Sequence, residues 1–368
     1  AGIGGKPAAE IDEVWHSLAP PYAALFAWLE SRGERPSIER QATFRPVMLA
    51  HPVDEKDFAE MSAADFAAEW KWDGVRVQVV GEAGRVRLYT RSGDEITGAF
   101  PDVVEHLDSL DATLDGELLV RRDGAVAPFA DLQKRLNRKT VGKALLQSSP
   151  AFVRLYDLLR QADTDLRGDP FMERRQRLEN WHEKHRFDCF DVSPLIPFQN
   201  WDELAAQRVA VVDVGIEGVM LKRRDSLYVA GRPKGPWFKW KRDPMLVDAV
   251  LMYAQRGHGK RSSYYSDYTF GVWKAGELVA VGKAYFGFTD EELQQIDRWI
   301  QGHTINRFGP VREVEKGLVF EIAFEGLQRS SRHRSGIAMR FPRINRIRWD
   351  KPAAEADRIE ALEKLLTA

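Results

Sequence analysis

Six residues, Lys71-Trp-Asp73-Gly74-Val-Arg76, place a lysine and an arginine around an Asp-Gly turn. Four fixed positions in six occur by chance, and alone they read better as a charged strand end. They do not stand alone. Downstream, in order, come Thr90-Arg91-Ser-Gly93 with Phe100-Pro101, Asp115-Gly116-Glu117, Tyr156-Asp157-Leu158-Leu159, Glu217-Gly218-Val-Met-Leu-Lys222, Trp237-Phe-Lys239-Trp-Lys241 and Arg348-Trp-Asp350-Lys351. Glu117 and Glu217 each sit beside a glycine, where backbone can crowd a ligand. Carboxylates so placed suit Mg²⁺ bridging phosphates, although an ordinary strand-end acid is the plainer alternative. Lys239 and Lys241, two apart, share one face of a strand and point toward the same phosphate; a solvated edge strand would look alike. The guanidinium forks of Arg76 and Arg91 suit phosphate oxygens.

The elements that must position these groups are legible in outline. EWKWDGVRVQVVGEAGRVRLYTRSG alternates polar and apolar residues around Gly81 and Gly84, predicting an antiparallel strand–turn–strand. Strands are expected over 113–120, 216–223 and 236–242, and helices over 129–147 and 170–186, the second with Asp169 as N-cap and Pro170 at its first position. Residues 11–31 carry apolar residues at helical spacing, broken at Pro20-Pro21. After Pro244 the chain turns rich in aromatic and β-branched residues broken by glycine, which suggests a small antiparallel barrel. Thr289-Asp-Glu-Glu292 forms a capping box opening a helix through Trp299. Strands over 318–327 and 339–349 and a helix over 353–367 close the chain. The expected organisation is 1–42 helical remnant and linker, 43–242 first domain, and 243–368 barrel with C-terminal helix.

The 368 residues carry 54 Lys+Arg against 55 Asp+Glu, a net charge of −1 that on average argues against a nucleic-acid partner. Locally it does not. Residues 329–348 hold seven arginines and no acid, 222–242 hold eight Lys/Arg and one acid, and 132–143 hold five cations and no acid. These stretches are expected to form basic surfaces, with Arg135, Arg138, Lys139, Arg261, Arg329 and Arg332 as candidate DNA contacts. Cys189 is the one cysteine, so neither an internal disulfide nor a four-cysteine zinc site can form, which fits a reducing cytoplasm. No apolar run is long enough to span a membrane. Gly257-His258-Gly259-Lys260-Arg261 lacks the P-loop pattern and reads as a hairpin tip touching DNA. His258, His303 and His333 show no metal-ligand spacing.

The ordered series resembles the nucleotidyltransferase motifs of ATP-dependent DNA ligases, over about residues 44–352. MLAHP, PFADLQKRLNRK, MYAQRGHGKRSSYYSDYTFGVW and FEGLQRSSRHRSGIAMRFPRINRIRWDKP resemble the bacterial repair-type group. The resemblance implies an α+β nucleotidyltransferase (ATP-grasp-like ligase) domain with antiparallel sheets, followed by a β-barrel OB-fold domain. It implies that nicks in duplex DNA are sealed through a lysyl-AMP intermediate, AMP transfer to the 5′-phosphate and attack by the 3′-hydroxyl. Lys71 matches the nucleophile, whose ammonium must first shed a proton. Glu217 is implied to serve a metal, and Glu117 the ribose, the metal or both; Mg²⁺ is expected, with Mn²⁺ as an alternative. Tyr156 matches an aromatic that stacks on adenine, and Glu69 the residue reading its amino group. Arg76 and Arg91 match contacts to ribose and phosphates, including the nick 5′-phosphate. Lys239 and Lys241 match the phosphate-facing pair. Arg348, Asp350 and Lys351 match residues orienting the departing pyrophosphate by hinge closure at Asp243-Pro244.

Such ligases commonly carry an N-terminal helical DNA-binding domain. Only 43 residues precede the core, so that domain is expected to be absent and the core to be a monomer that holds DNA loosely. RNA ligase, capping guanylyltransferase and a catalytically silent DNA-binding module on the same fold are the alternatives. The intact set of Lys71, Glu117, Glu217, Lys239 and Lys241 argues against the last.

Overall fold

The computed structural model describes residues 4–15, 18, 20–36, 42–54, 56–136, 138–211, 215–257, 264–331 and 333–367. Arg261, Arg332, His258 and most of the 257–261 hairpin tip lie outside the described residues. The chain forms two compact units, Ala1–Arg242 and Asp243–Ala368. Among the described residues no helix is long and apolar enough to cross a membrane.

Two sheets build the first unit. In one, the strands Arg85–Thr90, Val75–Glu82, Ala112–Arg122 and Ala151–Gln161 are consecutive antiparallel neighbours, with Phe190–Val192 parallel to the last. In the other, Ile216–Arg223 pairs antiparallel with both Phe66–Trp72 and Trp237–Lys241. Alternation along Phe66–Trp72 explains why this sheet has two roles. Phe66, Ala68 and Trp70 pack with Val219, Leu221 and Phe238 on one face, while Glu69 and Lys71 project from the other. Trp72, Leu119, Phe152 and Ile216 then join the two sheets in one apolar cluster. The helix Phe171–His185 buries Phe171, Leu178 and Trp181. The N-terminal helices Ala8–Trp15 and Ala23–Leu29 bring Val14, Leu25, Trp28 and Leu29 together in a separate small cluster.

In the second unit, Met245–Arg256 pairs with three strands: Tyr265–Lys274, Val311–Val314 and Val319–Phe324. Arg343–Arg348 adds to Val319–Phe324, and the Ile344 N–H donates to the Phe286 carbonyl at 3.1 Å. That bond ties the last strand back beside Glu277–Ala284, curling the sheet into a barrel. Tyr268, Phe270, Phe320 and Phe324 fill its interior. The helix Asp290–Gly302 opens on the expected capping box, Thr289 and Glu292 satisfying each other's backbone N–H groups.

Three expected helices differ. Residues 129–147 form two short helices, Phe129–Gln133 and Lys143–Ser148, because Gly142 is extended and starts the second one anew. Pro170, not Asp169, is the N-cap of Phe171–His185. The closing helix is preceded by a 3₁₀ turn, Ala353–Glu355, and starts at Ile359. In between, Asp357 pairs by its backbone with Asp248 and Trp273 of the barrel, which holds the chain extended.

Candidate active site

A cleft of about 350 Å³ lies in the first unit, lined from both sheets by Glu69, Lys71, Arg76, Arg91, Glu117, Tyr156, Glu217 and Lys239. Eight residues scattered over 171 positions thus meet in one place. Ala112–Arg122 crosses Val75–Glu82 in a register that sets Arg76 opposite Glu117. On the other sheet the register shifts between Ile216 and Gly218, leaving Glu217 as the extra residue of a bulge. Bulges re-aim side chains. Here Gly218 sits opposite both Lys71 and Lys241. The Lys71 Nζ donates to Glu217 Oε1, and Lys241 Nζ approaches Glu217 Oε2 at 3.3 Å. A side chain at 218 would strike the Trp240 carbonyl at 2.3 Å, and φ there is 151°, so this position needs glycine.

The two carboxyls experience opposite environments. Burial pushes the Glu117 carboxyl up to about 8, opposed by Lys71 and reinforced by Glu217. Burial pushes Glu217 upward too, but Lys71 and Lys241 outweigh it and hold its carboxyl below the usual range. Lys239 has no carboxylate partner among the described residues. Burial, with Lys241, Lys71, Arg232 and Arg91 nearby, lowers its ammonium pKa. Such a converging set of cations is a site for a polyanion.

Other expected residues are committed to the scaffold. Arg76 donates through Nε at 3.0 Å and Nη2 at 2.6 Å to Asp115, and through Nη1 to the Met48 carbonyl at 2.6 Å. It reaches the cleft wall but its fork is occupied. Glu69, only 2% exposed, accepts from Arg175 and Lys222 at 2.7 and 2.6 Å. Tyr156 lines the cleft with Lys222 Nζ 4.5 Å from its ring centre. Arg91 is exposed at the cleft rim. In the second unit Arg348 chelates Asp350, and Asp248 Oδ2 accepts from Arg348 at 3.1 Å and Lys351 at 2.7 Å.

The candidate DNA contacts divide. Arg135 is fully buried, bidentate on Asp102 and bonded to the Ala99 and Ser149 carbonyls, so it is a structural residue and not a DNA contact. Arg138, Lys139 and Arg329 are exposed. The arginine run 329–348 is partly neutralised by acids from neighbouring strands, Arg346 on Glu321 and Arg343 near Glu325. Lys222, Arg175, Asp115 and Tyr228 were not singled out from sequence as site residues. Lys222 and Asp115 carried a signal only as end positions of Glu217-Gly218-Val-Met-Leu-Lys222 and Asp115-Gly116-Glu117.

Residues 47–241 match the model of the ATP dependent DNA ligase domain, and residues 261–351 that of the ATP dependent DNA ligase C terminal region. The chain belongs to the ATP-dependent DNA ligase family. It is 36% identical over 353 residues to a probable DNA ligase of Koribacter versatilis, covering 89% of this chain and 61% of the relative. It is 34% identical over 330 residues to DNA ligase 1 of Korarchaeum cryptofilum, covering 88% and 60%. The chain thus spans about three fifths of the length of these curated relatives. A solved Lig E DNA ligase shares the fold, with a TM-score of 0.59 at 19% identity over 83% of this chain and all of that one. The first unit is the family's nucleotidyltransferase fold and the second its OB-fold barrel.

Proposed function

We propose that this chain is the catalytic core of an ATP-dependent DNA ligase that seals nicks in duplex DNA. The observation that carries the proposal is Lys71, its Nζ held by Glu217 inside a cleft that Lys239 also lines. The Lys71 amine attacks the α-phosphorus of ATP, forming a P–N bond as pyrophosphate leaves. The AMP passes to the 5′-phosphate of a nick, and the 3′-hydroxyl displaces it. Each step is phosphoryl transfer, in which positioning and charge neutralisation supply most of the catalysis.

The bulge at Glu217 orients Lys71 and Lys241 from one carboxylate. Lys239 faces the phosphates, and Tyr156 offers its ring to adenine. Arg76, fixed by Asp115, shapes the ribose end, and Arg91 at the rim suits the nick 5′-phosphate. Arg348, Asp350 and Lys351 are assigned to the departing pyrophosphate. Among the described residues no three His, Cys, Asp or Glu side chains form a metal cage. The hard oxygen donors of Glu217 and Glu117, both in the cleft, suit Mg²⁺, which keeps waters and takes one or two carboxylates plus substrate phosphates. Glu217 and Glu117 would hold it, and it would supply charge neutralisation at the phosphates; Mn²⁺ suits the same donors. The working form is proposed to be a cytoplasmic monomer acting on nucleoid DNA, in repair, recombination or replication.

The test uses ATP labelled at the α-phosphate with Mg²⁺. Deadenylated protein should acquire a covalent label that Lys71→Ala abolishes. Label persisting in Lys71→Ala would sink the proposal.

A further inference from the structure

Behind the cleft lies a buried network that phosphate chemistry does not use. Glu69 is two residues before Lys71 on the same strand and the same face, so it lies one step along the cleft from the nucleophile. Each oxygen of its carboxylate is held by one cation. Arg175 Nη1 donates to Oε1 at 2.7 Å, and Lys222 Nζ meets Oε2 at 2.6 Å. Arg175 is itself only 4% exposed and donates its Nε to Glu179, one helical turn on, at 2.7 Å. Lys222 is 2% exposed and lies 4.5 Å from the ring centre of Tyr156, 4.8 Å from that of Phe171 and 4.6 Å from that of Trp237.

An ordinary buried ion pair needs two partners. This carboxylate has two cations, each locked by further contacts, and it still borders the cleft. A carboxylate has about four acceptor positions and no donor. With two positions taken at fixed angles, the remaining lone pairs are fixed in direction as well. They can accept from an exocyclic amino group. A carbonyl oxygen placed there would meet acceptor against acceptor.

We propose that Arg175 is a specificity-determining positioning residue: through Glu69 it sets the preference of the cleft for a 6-aminopurine over a 6-oxopurine nucleotide. This rests on the reading that the cleft takes ATP with Tyr156 against the base. Arg175 touches no nucleotide; it acts by holding the carboxylate that does. Sites built to pair a polar group reject mismatched analogues far more strongly than apolar pockets reject size changes.

The experiment compares covalent labelling of Lys71 by ATP, GTP and the triphosphate of purine riboside, which lacks any 6-substituent. Wild-type protein should prefer ATP over both. In Arg175→Gln the ATP:GTP ratio of kcat/KM should fall at least about tenfold, through a raised KM for ATP with kcat nearly kept. Arg175→Lys, which keeps one cation but loses the fork, should lose about threefold. A merely structural role would lower ATP and GTP use by the same factor, and that result would overturn the assignment, as would unchanged discrimination in both variants. If Arg175→Gln does not fold, Arg175→Lys decides on the same criterion. Wild-type protein that uses purine riboside triphosphate as well as ATP would instead remove the underlying reading of Glu69.

Discussion

Glu217 bridges Lys71 and Lys241 with its two carboxylate oxygens, because a bulge places it between two strands that each carry one of these lysines. The proposed nucleophile is thus oriented by a partner 146 residues away in sequence. Replacing Glu217 by Gln keeps the shape but removes the charge that both ammonium groups face. Covalent labelling from ATP should fall by about 10² or more, as for loss of an electrostatic group aimed at a reacting centre. Thermal unfolding should barely change, because Glu217 is only partly buried. Measuring both separates the roles: a large loss of stability, or labelling within a factor of a few of wild type, would deny Glu217 this function.

Arg135 and Arg138 stand three residues apart in one basic stretch, yet they should behave differently. Arg135 is buried on a partly exposed Asp102 and also serves two carbonyls, and leaving such acceptors without their donor costs about 1–3 kcal/mol. Arg135→Ala should therefore lower the unfolding midpoint. The double change Arg138→Ala with Lys139→Ala should leave the midpoint alone, weaken binding to nicked duplex and flatten its salt dependence by about one to two phosphate contacts. Fluorescence anisotropy at several salt concentrations, beside a thermal melt, tests the contrast. A DNA defect without a stability defect in Arg135→Ala would restore it as a DNA contact.

Cys189 packs partly buried against the core of the first unit, and burial pushes its thiol up to about 12. The thiolate is the reactive form, so iodoacetamide at pH 8 should alkylate native protein slowly and urea-unfolded protein quickly, which a mass measurement reads. The linkage has a definite sign. The folded value is raised above the unfolded one near 9, so the folded state retains a proton that the unfolded state releases. The contribution to stability is complete below pH 9 and is lost as pH rises from about 9 toward 12. Cys189→Ser should reduce that part of the alkaline destabilisation.

Much of this was legible in the sequence, and the misses share a physical cause. Period-2 alternation marked the hairpin Val75–Glu82/Arg85–Thr90, and the Thr289/Glu292 box marked a helix start, because both signals are local. Lys71, Glu117, Glu217 and Lys239 were found by their neighbours in sequence and do share a cleft. Charge runs misled, because compensation is not local. Arg346 faces Glu321 from an adjacent strand, and Arg135 points inward onto Asp102 thirty-three residues earlier. Arg175 was invisible for the same reason: on a helix with many charges, nothing nearby tells which arginine turns inward to Glu69.

Gly218 offers the strictest test of the bulge. A Cβ there would lie 2.3 Å from the Trp240 carbonyl and 2.7 Å from the Lys241 Cα, both backbone atoms that no side-chain rotation can move. The positive φ of 151° adds strain for any L-residue. Gly218→Ala must therefore push the strands Ile216–Arg223 and Trp237–Lys241 apart just where Glu217 reaches both lysines. A displacement of about 1 Å at a reacting group is worth about 10² in rate. The variant should fold with a lowered melting temperature and lose covalent labelling by at least that factor. Gly84, also at positive φ but with open space around it, serves as the control: Gly84→Ala should cost about 1 kcal/mol of stability and leave labelling intact. Equal activity losses in the two variants would show that backbone strain alone, and not the placement of Glu217, explains the need for glycine at 218.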